Sequence, residues 1–263
     1  MTAQEHAGVR AAFENKPAAA HWRRIGFRRR AGAAVPLFSL ASGRSIGIGE
    51  FPDLEPFIAW CRDAGLSIVQ LLPVNDVGTA FQPYDAQSTF ALDPMYLRLE
   101  DLAGVDTARW RDRLAALRRR FPSDTPRVDY GVKRAKLEVL LDMFRNRDGA
   151  TDPDYASFVR DQAHWLRDYA LFRVIKDAHG QAPWDAWPET LRRREPEALA
   201  DVAARAQEAL DFQTWLQWQA GRQFARVHAR ASEAGVLLMG DLPFLVSRDS
   251  ADVWAHQGYF KLH

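Results

Sequence analysis

Three short runs of apolar residues along the chain predict three buried strands of a parallel sheet. They cover residues 35–40, 67–74 and 235–244. The third run reads Gly-Val-Leu-Leu-Met-Gly-Asp-Leu-Pro-Phe, so it ends on a polar residue, Asp241, with a proline close behind. In an α/β barrel, a strand of this kind carries its last polar side chain to the rim where ligands bind. The pattern therefore indicates an α/β fold with a candidate site after the third strand.

A helical pattern lies between the first two runs and completes a strand–helix–strand unit. Asp53 is expected to cap this helix and Gly65 to end it. The apolar positions i, i+3, i+4 and i+7 of the helix are Leu54, Phe57, Ile58 and Cys61. This spacing of elements predicts a βαβ unit.

Residues 101–200 have a different character, since they are rich in arginine, follow helical periodicity and contain no strand pattern. We predict that they form a helical insertion. A further helix is expected from about residue 201 to 234, directly before the third strand. Residues 1–34 are polar and arginine-rich and are expected to form a mobile or helical lead-in, which leaves 35–263 as the main domain.

Composition and charge argue against several classes of partner. Lys and Arg together number 35 against 34 Asp and Glu, so a net charge of +1 argues against binding to nucleic acid or to an anionic membrane. The sequence contains no run of about 18 apolar residues, so no membrane-spanning helix is predicted. The first residues lack the apolar segment of a signal peptide. The only cysteine, Cys61, allows no intramolecular disulfide. These features predict a cytoplasmic location.

Two residues are candidates for a ligand site at the predicted rim. Asp241 can accept hydrogen bonds from two neighbouring sugar hydroxyls, or it can satisfy turn amides before Pro243, and its position favours neither use. Tyr84 follows the second strand and can stack on a sugar ring, although packing on the domain surface is the commoner use of a loop tyrosine. Asn75 and Asp76 share this loop, and an Asx turn is their expected use.

Other features have simpler structural interpretations. Gly47 and Gly49 precede acidic residues that would repel a phosphate, so we predict a flexible loop there. The arginine runs at 28–30, 118–120 and 192–194 are expected on solvated faces. Neither a histidine or cysteine spacing typical of a metal site nor a serine nucleophile motif is present in the sequence, so no metal and no cofactor are predicted.

Several separate stretches, taken in order, resemble the 4-α-glucanotransferases of glycoside hydrolase family 77, the amylomaltases or disproportionating enzymes. The resemblance covers roughly residues 35–263. The stretches are Gly-Ile-Gly-Glu-Phe at 47–51, Gln-Leu-Leu-Pro-Val at 70–74, Pro-Tyr at 83–84, Ser-Thr-Phe-Ala-Leu-Asp-Pro-Met-Tyr-Leu at 88–97, Asp-Tyr-Ala-Leu-Phe at 168–172, Trp-Asp-Ala-Trp-Pro at 184–188, Arg-Glu-Pro at 194–196, Phe-Gln-Thr-Trp-Leu-Gln-Trp at 212–218, Gly-Asp-Leu-Pro-Phe-Leu-Val at 240–246 and Asp-Ser-Ala-Asp-Val-Trp-Ala-His at 249–256.

The resemblance implies an incomplete (β/α)8 TIM barrel, of which this chain holds the first three strands and the helical insertion. The family cleaves α-1,4-glucans with retention through a covalent glucosyl-enzyme and passes the sugar to an acceptor, so maltooligosaccharides or other α-1,4-glucans are the expected partners. Retention needs two carboxylates about 5 Å apart, a nucleophile and an acid/base. Both are expected beyond His263, so no catalytic residue is assigned. Asp241 matches a substrate-site aspartate of the family, and Tyr84 matches the tyrosine that meets the sugar beside the scissile bond.

Gln82 and the segment 93–96 depart from the best-known members, and they leave the subtype and the donor preference open. Three alternatives to a working transferase remain: an α-glucan hydrolase that uses water as acceptor, a non-catalytic α-glucan-binding remnant, and a fragment that assembles with a separately encoded remainder. Because three strands leave an open parallel edge, the isolated chain is expected to be unstable, prone to aggregate or inactive. The sequence carries no signal for the oligomeric state.

Overall fold

The structure is a computed structural model that describes residues 8, 11–14, 16–26, 28–148, 152–243 and 246–262. The strands are β1 (Gly32–Val35), β2 (Ile68–Leu71) and β3 (Leu237–Met239). The helices are α1 (Ala19–Ile25), α2 (Leu54–Asp63), α3 (Arg111–Arg120), α4 (Gly131–Arg145), α5 (Pro153–Asp161), α6 (Ala163–Ala178), α7 (Glu189–Arg192), α8 (Pro196–Arg205), α9 (Gln207–Glu233) and α10 (Ala251–Ala255).

The three strands form one parallel sheet in the order β1-β2-β3. Ala33 pairs with Val69, and Val69 pairs with Leu238, so neighbouring residues line up across the sheet. Helix α2 supplies the crossover between β1 and β2, and the segment from α3 to α9 supplies the one between β2 and β3. The predicted βαβ unit is confirmed, and the carboxyl ends of the three strands meet at one edge.

The first strand lies earlier in the chain than the predicted residues 35–40. It ends at Val35 because Pro36 has no amide hydrogen to donate to a neighbouring strand. The chain then turns into a short 3-10 helix at Leu37–Ser39 instead of continuing as a strand. The apolar run contributes Leu37 to the core, but its backbone is not a strand beyond Val35.

A glycine allows β1 to approach β2 closely at its first residue. An added Cβ on Gly32 would lie 2.6 Å from the carbonyl oxygen of Ile68, which is closer than packed atoms allow. Strands β2 and β3 fall inside their predicted ranges but are shorter than predicted. Phe244 and Leu245, at the end of the third apolar run, lie outside the described residues.

Helix α2 ends where predicted, but its start is built differently. Gly65 adopts a φ of +77° after the helix, in the left-handed region that favours glycine. Asp53, expected to cap α2, instead accepts a hydrogen bond from the amide of Glu50 at 2.8 Å, within the 3-10 turn before the helix. Its carboxylate also accepts from the hydroxyls of Ser42 and Ser45, each at 2.7 Å. Asp53 therefore fastens the preceding loop rather than the helix.

Helix α9 packs against α2, β3 and α6 and joins the two parts of the apolar core. The single helix predicted over 201–234 is divided at Ala206, whose φ of −122° separates α8 from α9. One core cluster surrounds the sheet, α2, α4 and α9, and a second surrounds α6 and α10 with Trp254 at its centre. The described part of 101–200 is helical without a strand, as its pattern predicts. In the described ranges, none of the helices is both long and apolar enough to cross a membrane.

Candidate functional site

The two residues predicted at the rim meet in the structure. Asp241 follows β3, and Tyr84 lies in the long loop after β2, at the edge where the strands end. The hydroxyl of Tyr84 donates a hydrogen bond to the carboxylate of Asp241 at 2.7 Å. This bond, with smaller contributions from burial and from the negative charge of Asp241, raises the pKa of the Tyr84 phenol. The pair is a phenol and a carboxylate held together on an accessible surface, since Tyr84 is 39% exposed.

A phenol beside a carboxylate offers three features that a sugar can use. The tyrosine ring gives an apolar face for stacking, and the phenol oxygen keeps lone pairs that can accept from a hydroxyl. The Asp241 carboxylate has further acceptor positions besides the one that Tyr84 occupies. The alternative, an aspartate that satisfies turn amides before Pro243, is not seen among the described residues, where the Asp241 carboxylate accepts its hydrogen bond from the Tyr84 hydroxyl.

The loop with Tyr84 is closed at its base by backbone contacts. Asn75 and Leu92 form an antiparallel bridge, and the amide of Asp93 donates to the carbonyl of Val74 at 3.0 Å. Within the loop, the amide of Gln87 donates to the carbonyl of Asp76 at 2.7 Å. These bonds make the segment a closed loop with defined ends rather than a freely moving connection.

Asp76 forms the predicted Asx turn and also takes part in a buried ion cluster. Its carboxylate accepts from the amide of Gly78 at 3.0 Å, from the ammonium of Lys133 at 2.8 Å and from the hydroxyl of Tyr169 at 2.7 Å. Lys133 also donates to the carboxylate of Asp93 and to the carbonyl of Gly78, each at 2.7 Å. One ammonium group from α4 therefore holds both ends of the Tyr84 loop.

Burial and charge act in opposite directions on this cluster. Burial alone would raise the pKa of Asp76, but the charges of Lys133 and Arg173 hold that pKa well below its ordinary value. Burial would likewise lower the pKa of Lys133, but the carboxylates of Asp76 and Asp93 raise it. The ammonium and the carboxylate of the Lys133–Asp76 pair therefore both stay charged at neutral pH.

The loop around Gly47 and Gly49, predicted to be flexible, is buried and contains a second ion cluster. Residues 45–50 are buried, and Glu50 accepts from Arg98 at 2.9 Å and from Lys136 at 2.8 Å. An added Cβ on Gly49 would lie 1.9 Å from the carbonyl oxygen of Leu37, which shows how tightly the loop is packed. The prediction of a flexible loop is wrong because its acidic residues meet cations that are distant in the sequence.

Lys133 and Lys136 were missed by the sequence interpretation, although a signal for them exists. They lie one turn apart on α4, on the same face as the buried apolar residues of that helix. The buried residues of α4 are Val132, Lys133, Ala135, Lys136, Val139, Leu140, Met143 and Phe144. A lysine in an apolar stripe is rarely buried unless it is paired, so this position alone indicates a buried carboxylate partner.

The arginine runs agree only in part with the predicted solvated faces. Arg119, Arg120 and Arg193 are exposed as predicted. Arg194 differs, because its guanidinium lies 4.2 Å from the ring centroid of Trp254 and 2.6 Å from the carboxylate of Asp168. The third run therefore has one member that covers the second core cluster rather than facing only solvent.

A cavity of about 570 Å³ lies beside the Asp76 cluster, between the Tyr84 loop, α4 and α6. Its described lining residues include neither Tyr84 nor Asp241. Lys133, Arg173 and Tyr169 reach its wall, but each already pairs with Asp76 or its neighbours. The rim pair, rather than this cavity, is therefore the candidate functional site.

Comparisons with known proteins agree with the fold and with the family resemblance. The sequence profile of glycoside hydrolase family 77, described as 4-alpha-glucanotransferase, matches residues 35–263. The chain is 37% identical to the 4-alpha-glucanotransferase of Chlamydia caviae over 252 residues, which cover 94% of this chain and 47% of that protein. It is 36% identical to the Thermus thermophilus 4-alpha-glucanotransferase, over 80% of this chain and 41% of that protein.

The fold is shared with amylomaltases of known structure. The amylomaltase from Streptococcus agalactiae in complex with acarbose superimposes with a TM-score of 0.73 at 24% identity, over 90% of this chain and 48% of that one. The three parallel strands are thus the strands of an incomplete (β/α)8 barrel, as predicted. The chain spans about half the length of the curated relatives it matches. From its sequence profile and its relatives, the chain belongs to the 4-α-glucanotransferase family, glycoside hydrolase family 77.

Proposed function

We propose that this chain serves a 4-α-glucanotransferase by binding a maltooligosaccharide or another α-1,4-glucan at Tyr84 and Asp241. The observation that carries the proposal is the 2.7 Å hydrogen bond between the Tyr84 hydroxyl and the Asp241 carboxylate. It joins two residues from separate loops at the carboxyl edge of a parallel sheet, where barrel enzymes bind their substrates. The reaction is proposed from the family, and the site of glucan binding is proposed from the pair of Tyr84 and Asp241.

The chemistry of the pair suits a glucosyl unit next to the bond that is broken. The Asp241 carboxylate accepts hydrogen bonds from two neighbouring hydroxyls, and the ring of Tyr84 packs against the apolar face of the sugar. In transfer with retention, the glycosidic bond breaks as a carboxylate attacks the anomeric carbon, and an acceptor hydroxyl later displaces that carboxylate. No nucleophile and no acid/base are assigned in this chain, and Tyr84 and Asp241 orient the sugar rather than form the covalent bond.

Three further features belong to the same proposal. The barrel domain begins with β1 at Gly32 rather than at residue 35, the residues before it form the lead-in, and about 101–200 form the helical insertion. No nucleic acid or membrane takes part. The protein acts in the cytoplasm, and the buried thiol of Cys61, whose pKa is raised by burial, suits a reducing compartment.

Substitutions of Tyr84 and Asp241 test the proposal, and they are made in the full-length protein. Transfer is measured with maltotriose, by the appearance of longer and shorter oligosaccharides. We expect Asp241→Ala to lower transfer by about a hundredfold or more, since it removes charged hydrogen bonds to the sugar, and Tyr84→Phe by about tenfold. Tyr259→Phe and Asp201→Asn are the matched controls, because both side chains are exposed outside the rim.

The outcomes of this assay separate the proposal from its alternatives. Near-normal transfer by Asp241→Ala contradicts the assignment of the site. Release of glucose without longer oligosaccharides identifies a hydrolase instead of a transferase. Binding of maltoheptaose that depends on Tyr84 and Asp241, without any turnover, identifies a non-catalytic glucan-binding protein.

A further inference from the structure

The contact between Tyr84 and Asp241 does not hold itself in place. Tyr84 is 39% exposed, and a single hydrogen bond in contact with water contributes little to stability. The two residues also come from segments that are far apart in the sequence, the loop after β2 and the segment after β3. Hydrogen bonds elsewhere between the two segments therefore help to set the distance between them.

Three hydrogen bonds join these segments a short distance beyond the rim pair. The Asp252 carboxylate accepts from the amide of Thr89 at 2.8 Å and from its hydroxyl at 3.2 Å. The carbonyl of Gln87 accepts from the amide of Ala251, also at 2.8 Å. One carboxylate thus binds the amide and the hydroxyl of Thr89. The backbone bond between Ala251 and Gln87 holds the loop two residues earlier.

Asp252 is the fixed partner of this contact. It lies in the first turn of α10, where the hydroxyl of Ser250 caps the helix by accepting from the amide of Val253 at 3.2 Å. Helix α10 is anchored in the second core cluster by Trp254, whose indole nitrogen donates to the carbonyl of Leu191 at 2.9 Å. Thr89, in contrast, lies in irregular backbone. The helix therefore positions the loop, and not the reverse.

We infer that Asp252 is a positioning residue, which holds the Tyr84 loop against the Asp241 segment and thereby sets the glucan site. The inference rests on the proposed function, because it concerns how the same site is assembled. Asp252 itself makes no contact with the sugar in this scheme. Its loss lets the loop move, so Tyr84 leaves Asp241 and the site is no longer formed before the glucan arrives.

The test uses the full chain and two measurements. The first is the affinity for maltoheptaose of Asp252→Ala, Tyr84→Phe and the double variant. We expect Asp252→Ala to weaken binding about tenfold, and the double variant to be little weaker than either single one. Asp252→Asn keeps one acceptor oxygen and should fall in between, and Thr89→Ser should bind like the unchanged chain. Asp201→Ala, on the exposed face of α8, is the matched control.

The second measurement does not depend on the glucan. NMR of ring-labelled tyrosine follows the titration of Tyr84, which is assigned by its disappearance in Tyr84→Phe. The pKa of this phenol is raised by the bond to Asp241, and in Asp252→Ala we expect it to return toward the ordinary value of about 10. A residue needed only for stability would lower the unfolding temperature without moving this titration. Thr89→Val, which removes only the 3.2 Å bond, replaces Asp252→Ala if that variant does not fold.

The two measurements fail in different ways. If neither Asp241→Ala nor Tyr84→Phe weakens the binding of maltoheptaose, the proposed function is wrong. If Tyr84→Phe weakens binding but Asp252→Ala leaves the Tyr84 titration unchanged and the two losses simply add, the inference about Asp252 is overturned while the proposed function stands.

Discussion

Lys133 places one buried ammonium group among three oxygen atoms. It reaches the carboxylates of Asp76 and Asp93 and the carbonyl of Gly78. A buried ion cluster of this kind is a weak source of stability as a whole, but removal of one partner leaves uncompensated charge behind. At the scale of single residues, the two ends of the Tyr84 loop are therefore joined through one side chain of a distant helix.

We predict that Lys133→Met lowers the free energy of unfolding by about 3–5 kcal/mol at neutral pH. The matched control is the next residue, since Arg134 is 88% exposed and Arg134→Met should change stability by less than about 0.5 kcal/mol. Denaturant unfolding followed by tryptophan fluorescence measures both. A Lys133→Met chain as stable as Arg134→Met would contradict the description of the cluster.

The same substitution has a pH dependence with a defined sign. The pKa of Asp76 is depressed in the folded chain, so its contribution to stability is present above the unfolded value of about 4 and is lost as the pH falls below it. Protonated carboxyl groups no longer need the ammonium partner. We therefore expect the part of the difference between the unchanged chain and Lys133→Met that depends on Asp76 to hold from neutral pH down to about pH 4 and to shrink as the pH falls further.

At the scale of elements, the close approach of β1 and β2 depends on the absence of a side chain at Gly32. An alanine there would place its Cβ 2.6 Å from the carbonyl oxygen of Ile68, in backbone that cannot move aside without disturbing the sheet. We predict that Gly32→Ala destabilises the chain by about 1–3 kcal/mol. Gly43→Ala is the control, because no atom lies within 4 Å of its added Cβ. Equal thermal unfolding of the two variants would disprove the predicted overlap.

Several elements could be predicted from the sequence, and the others show what local patterns lack. The βαβ unit, the end of α2 at Gly65 and the rim positions of Tyr84 and Asp241 follow from apolar periodicity and turn residues. The burial of Glu50 does not, because its partners Arg98 and Lys136 are distant in the sequence and no local rule brings them together. The division between α8 and α9 does not follow from the sequence either, because the helical pattern of apolar residues continues across Ala206.

At the scale of the whole molecule, β3 is an edge strand of the sheet with exposed apolar residues beside it. Among the described residues, β3 pairs with β2 on one side and with no strand on the other. Leu242, just after this strand, is 78% exposed, and Met239 is 45% exposed. An uncovered parallel edge with apolar neighbours is a surface on which chains associate.

We predict that the 263-residue chain self-associates in a concentration-dependent manner and that Leu242→Lys reduces this association. The lysine adds charge beside the edge, while the exposed position keeps the change in stability within about 0.5 kcal/mol. Light scattering coupled to size-exclusion chromatography measures the mass, and Tyr259→Lys, another exposed position, is the control. A monomeric unchanged chain at high concentration would show that the edge is covered in another way.

The two lysines of α4 have a consequence for how the protein reaches its folded state. Lys133 and Lys136 are bound to different carboxylate clusters, so a shift of the helix by one residue, which turns it by about 100°, would remove both ammonium groups from their partners at once. Apolar side chains tolerate such sliding, but the two ion pairs can form together in only one rotation and register of the helix. We therefore expect α4 to dock in one register, with both ion pairs formed or neither.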